Sequence, residues 1–312
     1  MPLTNFPAGV TSFGLPVIGG GPLSVTTTGL VFFVDSVTGN DAPYNSSSGQ
    51  GTNPSQPFKT LSIAMTQTRA SKGDVIYLMP GHAELIPAAA TLNFFKAGVQ
   101  VIGLGIGSNR PSITYAGTDS LLLFSAASTA LRNVRLLCSV DEVVTALSVT
   151  AANVTIDTVD VVETAAKQFI QKVLTTAAAV DLTITNCTDH QSTAPAANSA
   201  WIKLVGADRA NIIGNRIFIT TTNSASSSVI LSVTTAPVNI LIQDNVIVQL
   251  GGASVIPINL MTGTSGYAAS NKVASPKTTI AGSIALASCY GANNLASHTV
   301  NTDGILEPVA DA

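Results

Sequence analysis

Acidic residues that could cleave a glycosidic bond are the first candidates for chemistry in this sequence. Hydrolysis of such a bond needs two carboxylates about 5 to 9.5 Å apart, and elimination needs a base, often beside Ca²⁺ held by carboxylates. The chain has 17 Asp and Glu residues. They offer one cluster, Asp189 and His190 with Asp157 or Asp160, and only loops could bring its members together.

Two other patterns resemble parts of known sites. His82 and Glu84 follow a Pro-Gly turn and could be imagined as an acid and a base, but polar side chains at a turn more often satisfy local backbone groups. Gly103, Gly105 and Gly107 resemble a fragment of a phosphate-binding loop. Neither a helix nor a Lys-Ser/Thr pair follows them, so they indicate a tight corner instead.

The remaining polar candidates favour structural roles. His190 and His298 have no partner at a spacing that metal ligation uses. Asp35, Asn40 and Asp41 could hold a cation near a loop, but Asx-turn hydrogen bonds are the more common use of such residues. We therefore expect no catalytic residue, no metal site and no cofactor.

The elements that would position these residues repeat along the chain. From Leu121 to about Leu260, an apolar strand is followed by a turn of small residues, an asparagine and a second apolar strand. These turn residues are Asn133, Asn153, Asn211 and Asn239, with Asp181 in the missing slot. Their spacing lies at the lower end of the range of roughly 20–50 residues that is typical of solenoid repeats. Repeats built from strands and turns indicate a β-solenoid. The asparagines are predicted to form a structural ladder at the turns, because Asn tolerates the left-handed conformation and can bond its counterpart in the next coil.

The alternation of apolar residues agrees with stacked coils. Pairs with one residue between them, such as Val154 and Ile156, repeat at the same place after each turn. An ordinary β-sandwich is the alternative fold. It does not explain why Trp201, Val229 and Pro257 recur at one constant step along the chain.

Stacking the coils also tests the acidic candidates, because catalytic groups would come from columns of successive coils. Two such columns follow the turn residues: Asp157, Thr185, Asn215 and Gln243, and then Asp160, Thr188, Phe218 and Val246. Neither column stacks acids. We therefore expect that the protein is not an enzyme.

The composition and charge of the chain limit the kinds of partner that it could bind. Charged residues make up only 10% of the chain, and the mean hydropathy is +0.41, which favours oligomerisation or docking onto a larger assembly. The net charge is −3 without a basic cluster, which disfavours nucleic acid, and no apolar run is long enough for a membrane span. Cys138, Cys187 and Cys289 suit a reducing compartment, and the N-terminus lacks the features of a secretory signal.

Both ends of the chain differ from the repeat. Residues 1–29 form a Gly/Pro-punctuated arm without a charged side chain, which indicates a segment that orders against a partner. The apolar positions Phe58, Leu61 and Ala64/Met65 then predict an amphipathic helix at about 57–69. After Leu260 the pattern weakens, and residues 291–312 form a polar tail.

The N-terminal third resembles a known fold family. The segments Val34-Asp35, Pro57 to Leu61 and Gly73 to Ile76 resemble the first segment of right-handed parallel β-helix proteins of the pectate-lyase type, in which a helix caps the first coil. With the arm and Met79 to Glu84, the resemblance is narrower, to virion proteins of tailed bacteriophages, including head-decoration (cement) proteins and fibres. It covers roughly residues 1–120 and implies a homotrimer.

The resulting prediction is an all-β, right-handed parallel β-helix at 30–290 with a short capping helix, preceded by the extended arm at 1–29 and followed by the tail at 291–312. We expect a structural capsid-decoration protein, assembled in the host cytoplasm and bound to the major capsid protein on the virion surface. Its docking residues would be Phe6, Phe13, Leu15 and Val17. The alternative is a tail spike or fibre that binds or cleaves host polysaccharide.

Overall fold

A computed structural model describes residues 11–12, 15–16, 29–44, 49–164, 167–191, 200–219, 228–250, 255–276, 283–297 and 305–307. Three long sheets run along the molecule, and their strands pair in parallel except at the C-terminal end. From β4 onward each coil contributes one strand to each sheet in turn. The strands β4 to β27 thus form eight complete coils in the described part of the chain. The predicted right-handed parallel β-helix is confirmed.

The first sheet has ten strands: β3 (Val31–Val34), β4 (Val75–Leu78), β7 (Gln100–Gly103), β10 (Ala130–Arg132), β13 (Thr155–Asp157), β16 (Thr183–Thr185), β19 (Asn211–Ile213), β22 (Ile240–Gln243), β25 (Ser265–Ala269) and β28 (Ser288–Ala292). The second sheet also has ten: β5 (Ala83–Ile86), β8 (Ser112–Tyr115), β11 (Arg135–Cys138), β14 (Asp160–Val162), β17 (Thr188–Gln191), β20 (Arg216–Ile219), β23 (Val246–Gln249), β26 (Lys272–Ala274), β29 (Asn294–Ser297) and β30 (Ile305–Glu307). The third sheet has eight: β6 (Thr91–Phe94), β9 (Leu121–Phe124), β12 (Val143–Val149), β15 (Phe169–Thr175), β18 (Ala200–Leu204), β21 (Ser228–Ser232), β24 (Ile258–Asn259) and β27 (Ile284–Ala285).

The core lies inside the three sheets, and each strand turns alternate side chains towards it. In the first sheet, Ile156, Ile184, Ile212 and Ile242 stack in register and are buried. The predicted constant step is real, because Trp201 and Val229 occupy one position of the third sheet in successive coils. One coil alone could not bury these apolar side chains, whereas a stack of coils can.

The helix α1 (Leu61–Gln67) covers the first coil. Its residues Leu61, Ala64 and Met65 are buried, as the sequence predicts, and its bounds are narrower than the predicted 57–69. Thr60 caps its N-terminus by accepting a hydrogen bond from the Ile63 N–H. Within the described residues, no helix is long and apolar enough to cross a membrane.

The predicted asparagine ladder mixes two different corners of the coil. Asn153, Asp181 and Asn239 do lie in the left-handed region at the corner before the first sheet. Asn211 does not, because it is the first residue of β19 and Arg209 occupies the corner with φ 56°. Asn133 belongs to the next corner, between the first and second sheets, where Thr158 and Asn186 follow it in register.

A different ladder, of buried asparagines, lies one residue after that second corner. Asn215, Asn245, Asn271 and Asn294 stack in four successive coils and are at most 4% exposed. Each Oδ1 after the first accepts hydrogen bonds from both the backbone N–H and the side-chain amide of the preceding asparagine. Each side-chain amide also donates to a backbone carbonyl of the preceding coil. The polar groups of this column are thereby satisfied inside the core.

Antiparallel strand pairs occur near both ends of the chain. At the N-terminus, β1 (Thr11–Ser12) and β2 (Leu15–Pro16) form a short antiparallel pair. Phe6, Phe13 and Val17 lie outside the described residues, and Leu15 lies in β2. At the C-terminus, β29 continues the second sheet beyond residue 290, and β30 pairs antiparallel with it.

Candidate functional site

The histidine–glutamate pair after the Pro-Gly turn is part of the helix cap. His82 Nε2 lies 3.1 Å from Glu84 Oε2, and both side chains are buried. The same carboxylate oxygen accepts the Leu61 N–H at 2.8 Å. Glu84 thus satisfies a free N–H at the start of α1 and ties the helix to β5. The backbone group that it satisfies is distant in sequence, not local as predicted.

The other polar candidates near the N-terminus form turns and caps. Asp35 Oδ1 accepts the Val37 N–H, and Asn40 Oδ1 accepts the Ala42 N–H, as in Asx turns. Asp41 instead accepts from the N–H groups of Lys59 and Thr60, just before α1. The contacts of Asp35 and Asn40 agree with the predicted Asx-turn hydrogen bonding, whereas those of Asp41 do not.

The glycine segment after β7 is a corner of the solenoid. A Cβ atom on Gly103 would lie 2.1 Å from the Asn133 carbonyl oxygen, and Gly105 has φ +100°. The Asn133 side-chain amide donates to the carbonyls of both glycines. Glycine is therefore required here by close backbone packing, as the sequence predicts.

A groove on the outer face of the second sheet brings together the polar candidates of the middle coils. Its volume is about 430 Å³, and its walls include Asp160, Thr188, His190, Arg216 and Phe218. The rings of His190 and Phe218 meet edge to face, with centroids 6.5 Å apart. The groove thus combines an aromatic edge, an imidazole and a guanidinium.

The acid column in this groove differs from the predicted one. In the true register Arg216, not Phe218, follows Asp160 and Thr188, because the predicted column was counted from Asn211, which lies inside a strand and not at the corner. Asp160 accepts hydrogen bonds from Thr188 Oγ1 at 2.8 Å and from Arg135 Nε at 3.2 Å. Its carboxylate is therefore already bound within the sheet.

Asp157 lies apart from this groove. It occupies the outer face of the first sheet, where its Oδ1 accepts hydrogen bonds from Thr185 and Asn186 of the next coil. The predicted cluster of Asp189 and His190 with an acid is thus formed with Asp160 alone. Even there, His190 and Asp189 face opposite sides of the sheet, since His190 is exposed and Asp189 is buried.

The outer face of the second sheet is unusually apolar next to the groove. One outward position repeats in eight successive coils, and most of its residues are apolar. We call this set the outer column: Leu85, Thr114, Leu137, Val162, His190, Phe218, Val248 and Ala274. Leu85 is 58% exposed, and Val162 and Phe218 are 37% and 36% exposed. A soluble sheet face normally carries polar residues at such positions.

A buried ionic cluster lies on the inner side of the same coils. Lys172 Nζ is 3.0 Å from Glu163 Oε1 and 3.9 Å from Asp189 Oδ2, and all three side chains are at most 2% exposed. Lys172 also donates to the Phe169 carbonyl, whose own N–H donates to Glu163 Oε1. This buried cluster is defined by Glu163, Lys172 and Asp189.

The buried cluster is incompletely hydrogen-bonded. Both oxygens of Asp189 and Oε2 of Glu163 have no hydrogen-bond partner among the described residues. Burial raises the pKa of Asp189 well above its usual range; Lys172 opposes this rise and Glu163 adds to it. Burial therefore disfavours the charged form of Asp189, which is held beside Lys172 and a second carboxyl group.

Sequence reasoning found Asp189 but not Glu163 or Lys172. The available signal was a lysine inside the strand Phe169–Thr175, in which Phe169, Val173 and Thr175 are buried. A lysine at an inward position is rare unless it is paired. Its acidic partners come from the second sheet and could be found only with the register of the coils.

One comparison with known proteins supports the fold. No protein-family model matches this sequence, and no curated protein sequence matches it. The chain resembles the solved structure of a rhamnogalacturonan lyase with a TM-score of 0.56 and 12% identity, over 79% of this chain and 68% of the lyase. It also aligns with the ORF18 protein of Geobacillus virus E2 with a TM-score of 0.39 and 9% identity, over 76% of this chain and 57% of that one.

The lyase comparison corrects one expectation. The sequence led to the prediction that the protein is not an enzyme, on the ground that no column stacks acids. The solved structure that this chain resembles at a TM-score of 0.56 is that of an enzyme, which contradicts this prediction. At 12% identity the likeness establishes the parallel β-helix alone and transfers no activity or substrate.

Proposed function

We propose that the protein is a β-helical structural component of a tailed-bacteriophage virion that works as a homotrimer. The observation that carries the proposal is the outer column, an apolar stripe along the outside of the second sheet. A contiguous exposed apolar surface marks an interaction site. A rigid solenoid with such a stripe suits side-by-side packing of identical subunits.

The geometry of a three-fold assembly fits a stripe of this form. When three parallel solenoids surround a common axis, each coil meets the same coil of the other two copies. An apolar column that runs from coil to coil then packs against itself over its whole length. Arg216 and Lys272 lie in the neighbouring outward column, where they would flank the contact.

The finer proposal is a capsid-decoration role with the N-terminal arm as anchor. It rests on the resemblance of the arm to tailed-phage virion proteins and on its lack of charge over residues 1–29. Phe6, Phe13, Leu15 and Val17 would supply the apolar contacts to the major capsid protein.

Deleting residues 1–22 tests the anchor. The deletion leaves the described solenoid from Gly29 onward intact, so the truncated protein should fold and keep its oligomeric state in analytical ultracentrifugation. It should lose binding to purified capsids that lack the protein. A matched variant with Phe6, Phe13 and Leu15 changed to serine should lose binding as well. Capsid binding retained by both variants would refute the anchor.

The second candidate is a tail spike or fibre that binds host polysaccharide. The groove favours it, because Phe218 can stack on the apolar face of a sugar ring while Arg216 and His190 reach its polar substituents. In this case the outer column would be a ligand surface and not a subunit interface. The effect of Phe218→Asp on self-association separates the two candidates.

A further inference from the structure

The buried cluster has the composition and geometry for a covalent reaction between two of its side chains. We propose that Lys172 and Asp189 form an intramolecular amide (isopeptide) bond, with Glu163 transferring the proton. No step of the proposed virion function uses these residues, and the inference stands independently of it.

Proximity is the first argument. Lys172 Nζ lies 3.9 Å from Asp189 Oδ2, the oxygen bonded to the carbon that the nitrogen would attack. The attack itself needs the nitrogen and that carbon to come within about 3 to 3.5 Å of each other. The two groups are held on neighbouring coils, Lys172 in β15 and Asp189 in β17. Packing of the surrounding core fixes both side chains, so a bimolecular condensation becomes an intramolecular one. Effective concentrations in such arrangements reach about 10⁵ M or more.

Protonation is the second argument. Nucleophilic attack requires a neutral amine and a neutral carboxylic acid, because a carboxylate repels the nucleophile and has no leaving group. Asp189 is buried, neither of its oxygens has a partner in hydrogen-bonding geometry among the described residues, and burial disfavours its anion. Glu163 Oε1, 3.0 Å from Lys172 Nζ, is placed to take the ammonium proton. The site can therefore reach the reactive state by one proton transfer.

The reaction balances without any other reagent. The Lys172 nitrogen attacks Cγ of the protonated Asp189, and a C–N bond forms. The nitrogen then loses a proton, the C–O bond breaks, and the hydroxyl leaves as water, with Glu163 relaying the proton. The products are an amide, one water molecule and a protonated Glu163.

The negative charge that develops on the Asp189 oxygen during the attack has a nearby donor. The indole N–H of Trp201 interacts with Asp189 but does not reach hydrogen-bonding geometry in the unreacted arrangement. A donor that is free in the ground state and aimed at a developing oxyanion stabilises the transition state selectively. Trp201 would thus act directly on the reacting carboxyl group.

Removal of buried charge drives the reaction forward. Before it, the ion pair of Lys172 and Glu163 is held in the core, and a buried ion pair repays its desolvation only when its remaining polar atoms are bonded. The unpartnered oxygens of Glu163 and Asp189 show that this condition is not met among the described residues. After it, every member of the cluster is neutral. The bond would also tie two neighbouring coils together.

Mass spectrometry of the purified full-length protein tests the bond directly. We expect an intact mass below that of the 31.8 kDa sequence by about 18 Da, one water lost in forming the amide. Trypsin cuts an unmodified chain after Lys172 and releases peptides 168–172 and 173–203. The bonded chain should instead give peptide 168–203, uncut at Lys172 and lighter by one water.

Variants separate the roles of the three residues. Glu163→Gln keeps the shape of the side chain but cannot take the proton. The measured mass of this variant should therefore equal the mass calculated from its own sequence, with no water lost. Lys172→Met should also show the full mass. Asp160→Asn, on the outer face of the strand next to Glu163, is the matched control and should keep the loss of water.

The wild-type measurement decides the matter even if a core variant fails to fold. An intact mass equal to that of the sequence, with complete cleavage after Lys172, overturns the proposal. So does a loss of water that fragment ions map to any residue other than Lys172 and Asp189. Retention of the bond in Glu163→Gln would remove Glu163 from the mechanism.

Discussion

Single buried acids hold the N-terminal end of the solenoid together. Asp74, at the start of β4, accepts the Leu30 N–H on Oδ1 and the Arg69 N–H on Oδ2. The Arg69 guanidinium binds both oxygens. This one carboxylate therefore joins β3, the segment after α1 and β4. Its loss should loosen the cap as a unit.

The Asp74 carboxylate should make stability depend on pH. Burial alone would raise its pKa, but hydrogen bonds from the Arg69 side chain and from backbone N–H groups outweigh burial and lower it. Because the folded pKa lies below the unfolded one, the stabilisation is complete above the unfolded pKa of about 3.9. It is lost as the pH falls through the folded value.

The measurement is the urea midpoint between pH 2 and pH 7 for the wild type and Asp74→Asn. The variant should unfold at lower urea at pH 7 and should approach the wild type at the acidic end. Asp244→Asn is the control, because Asp244 lies at an exposed corner and its side chain accepts a hydrogen bond only from its neighbour Gln243 among the described contacts. Parallel curves for Asp74→Asn and wild type would contradict this role of Asp74.

At the scale of elements, the buried asparagine column replaces apolar packing over half of the solenoid. The same inward position holds Val134, Val159 and Cys187 in the earlier coils and Asn215 onward in the later ones. The first part is stabilised by apolar burial. The second is stabilised by a continuous chain of amide hydrogen bonds, in which each asparagine depends on its neighbour.

Removing a central member of the ladder should destabilise the protein. Asn245→Ala deprives the Asn215 N–H and side-chain amide of their acceptor, and it removes the side-chain donor to Asn271 Oδ1. Buried groups left unpaired cost about 1 to 3 kcal/mol each, so we expect a loss of roughly 3 kcal/mol. Chemical denaturation measures it.

The control is Asn259→Ala, since Asn259 points outward from the third sheet and is half-buried. It should change the free energy of unfolding by less than about 0.5 kcal/mol. If both substitutions change the free energy of unfolding equally, the hydrogen bonds of the ladder make no specific contribution to stability.

The alternation of apolar residues and the constant step between coils predicted the fold correctly, because the inward position of every coil must be apolar or paired. The turn residues were not predictable in the same way. Asn211 imitates a corner residue by type, but Arg209 occupies the corner at the constant step from Asp181. Residue type indicates tolerance of positive φ, whereas register decides where it is needed.

At the scale of the whole molecule, the sequence also could not place residues from different coils in one site. Glu163, Lys172 and Asp189 meet only when the register brings the second and third sheets together. The outer column is similarly invisible in any single strand, since each strand contributes one residue to it, and a single exposed apolar residue is ordinary. Both features arise from stacking.

The outer column leads to the prediction that separates the two proposed functions. Phe218→Asp places a charge at its centre, where three copies would meet. Burial of a Phe side chain contributes roughly 2 kcal/mol, and a buried charge adds its desolvation cost. Self-association should therefore weaken by at least about 30-fold, and sedimentation velocity should show monomers at concentrations where the wild type is trimeric.

Val37→Asp is the matched control, because Val37 is 84% exposed and lies outside the outer column. It should leave the trimer unchanged. If Phe218→Asp also leaves the oligomeric state unchanged, the outer column is not the interface. If the same variant then loses binding to host polysaccharide, and Arg216→Ala loses it too, the groove is a ligand site and the spike or fibre function replaces the decoration function.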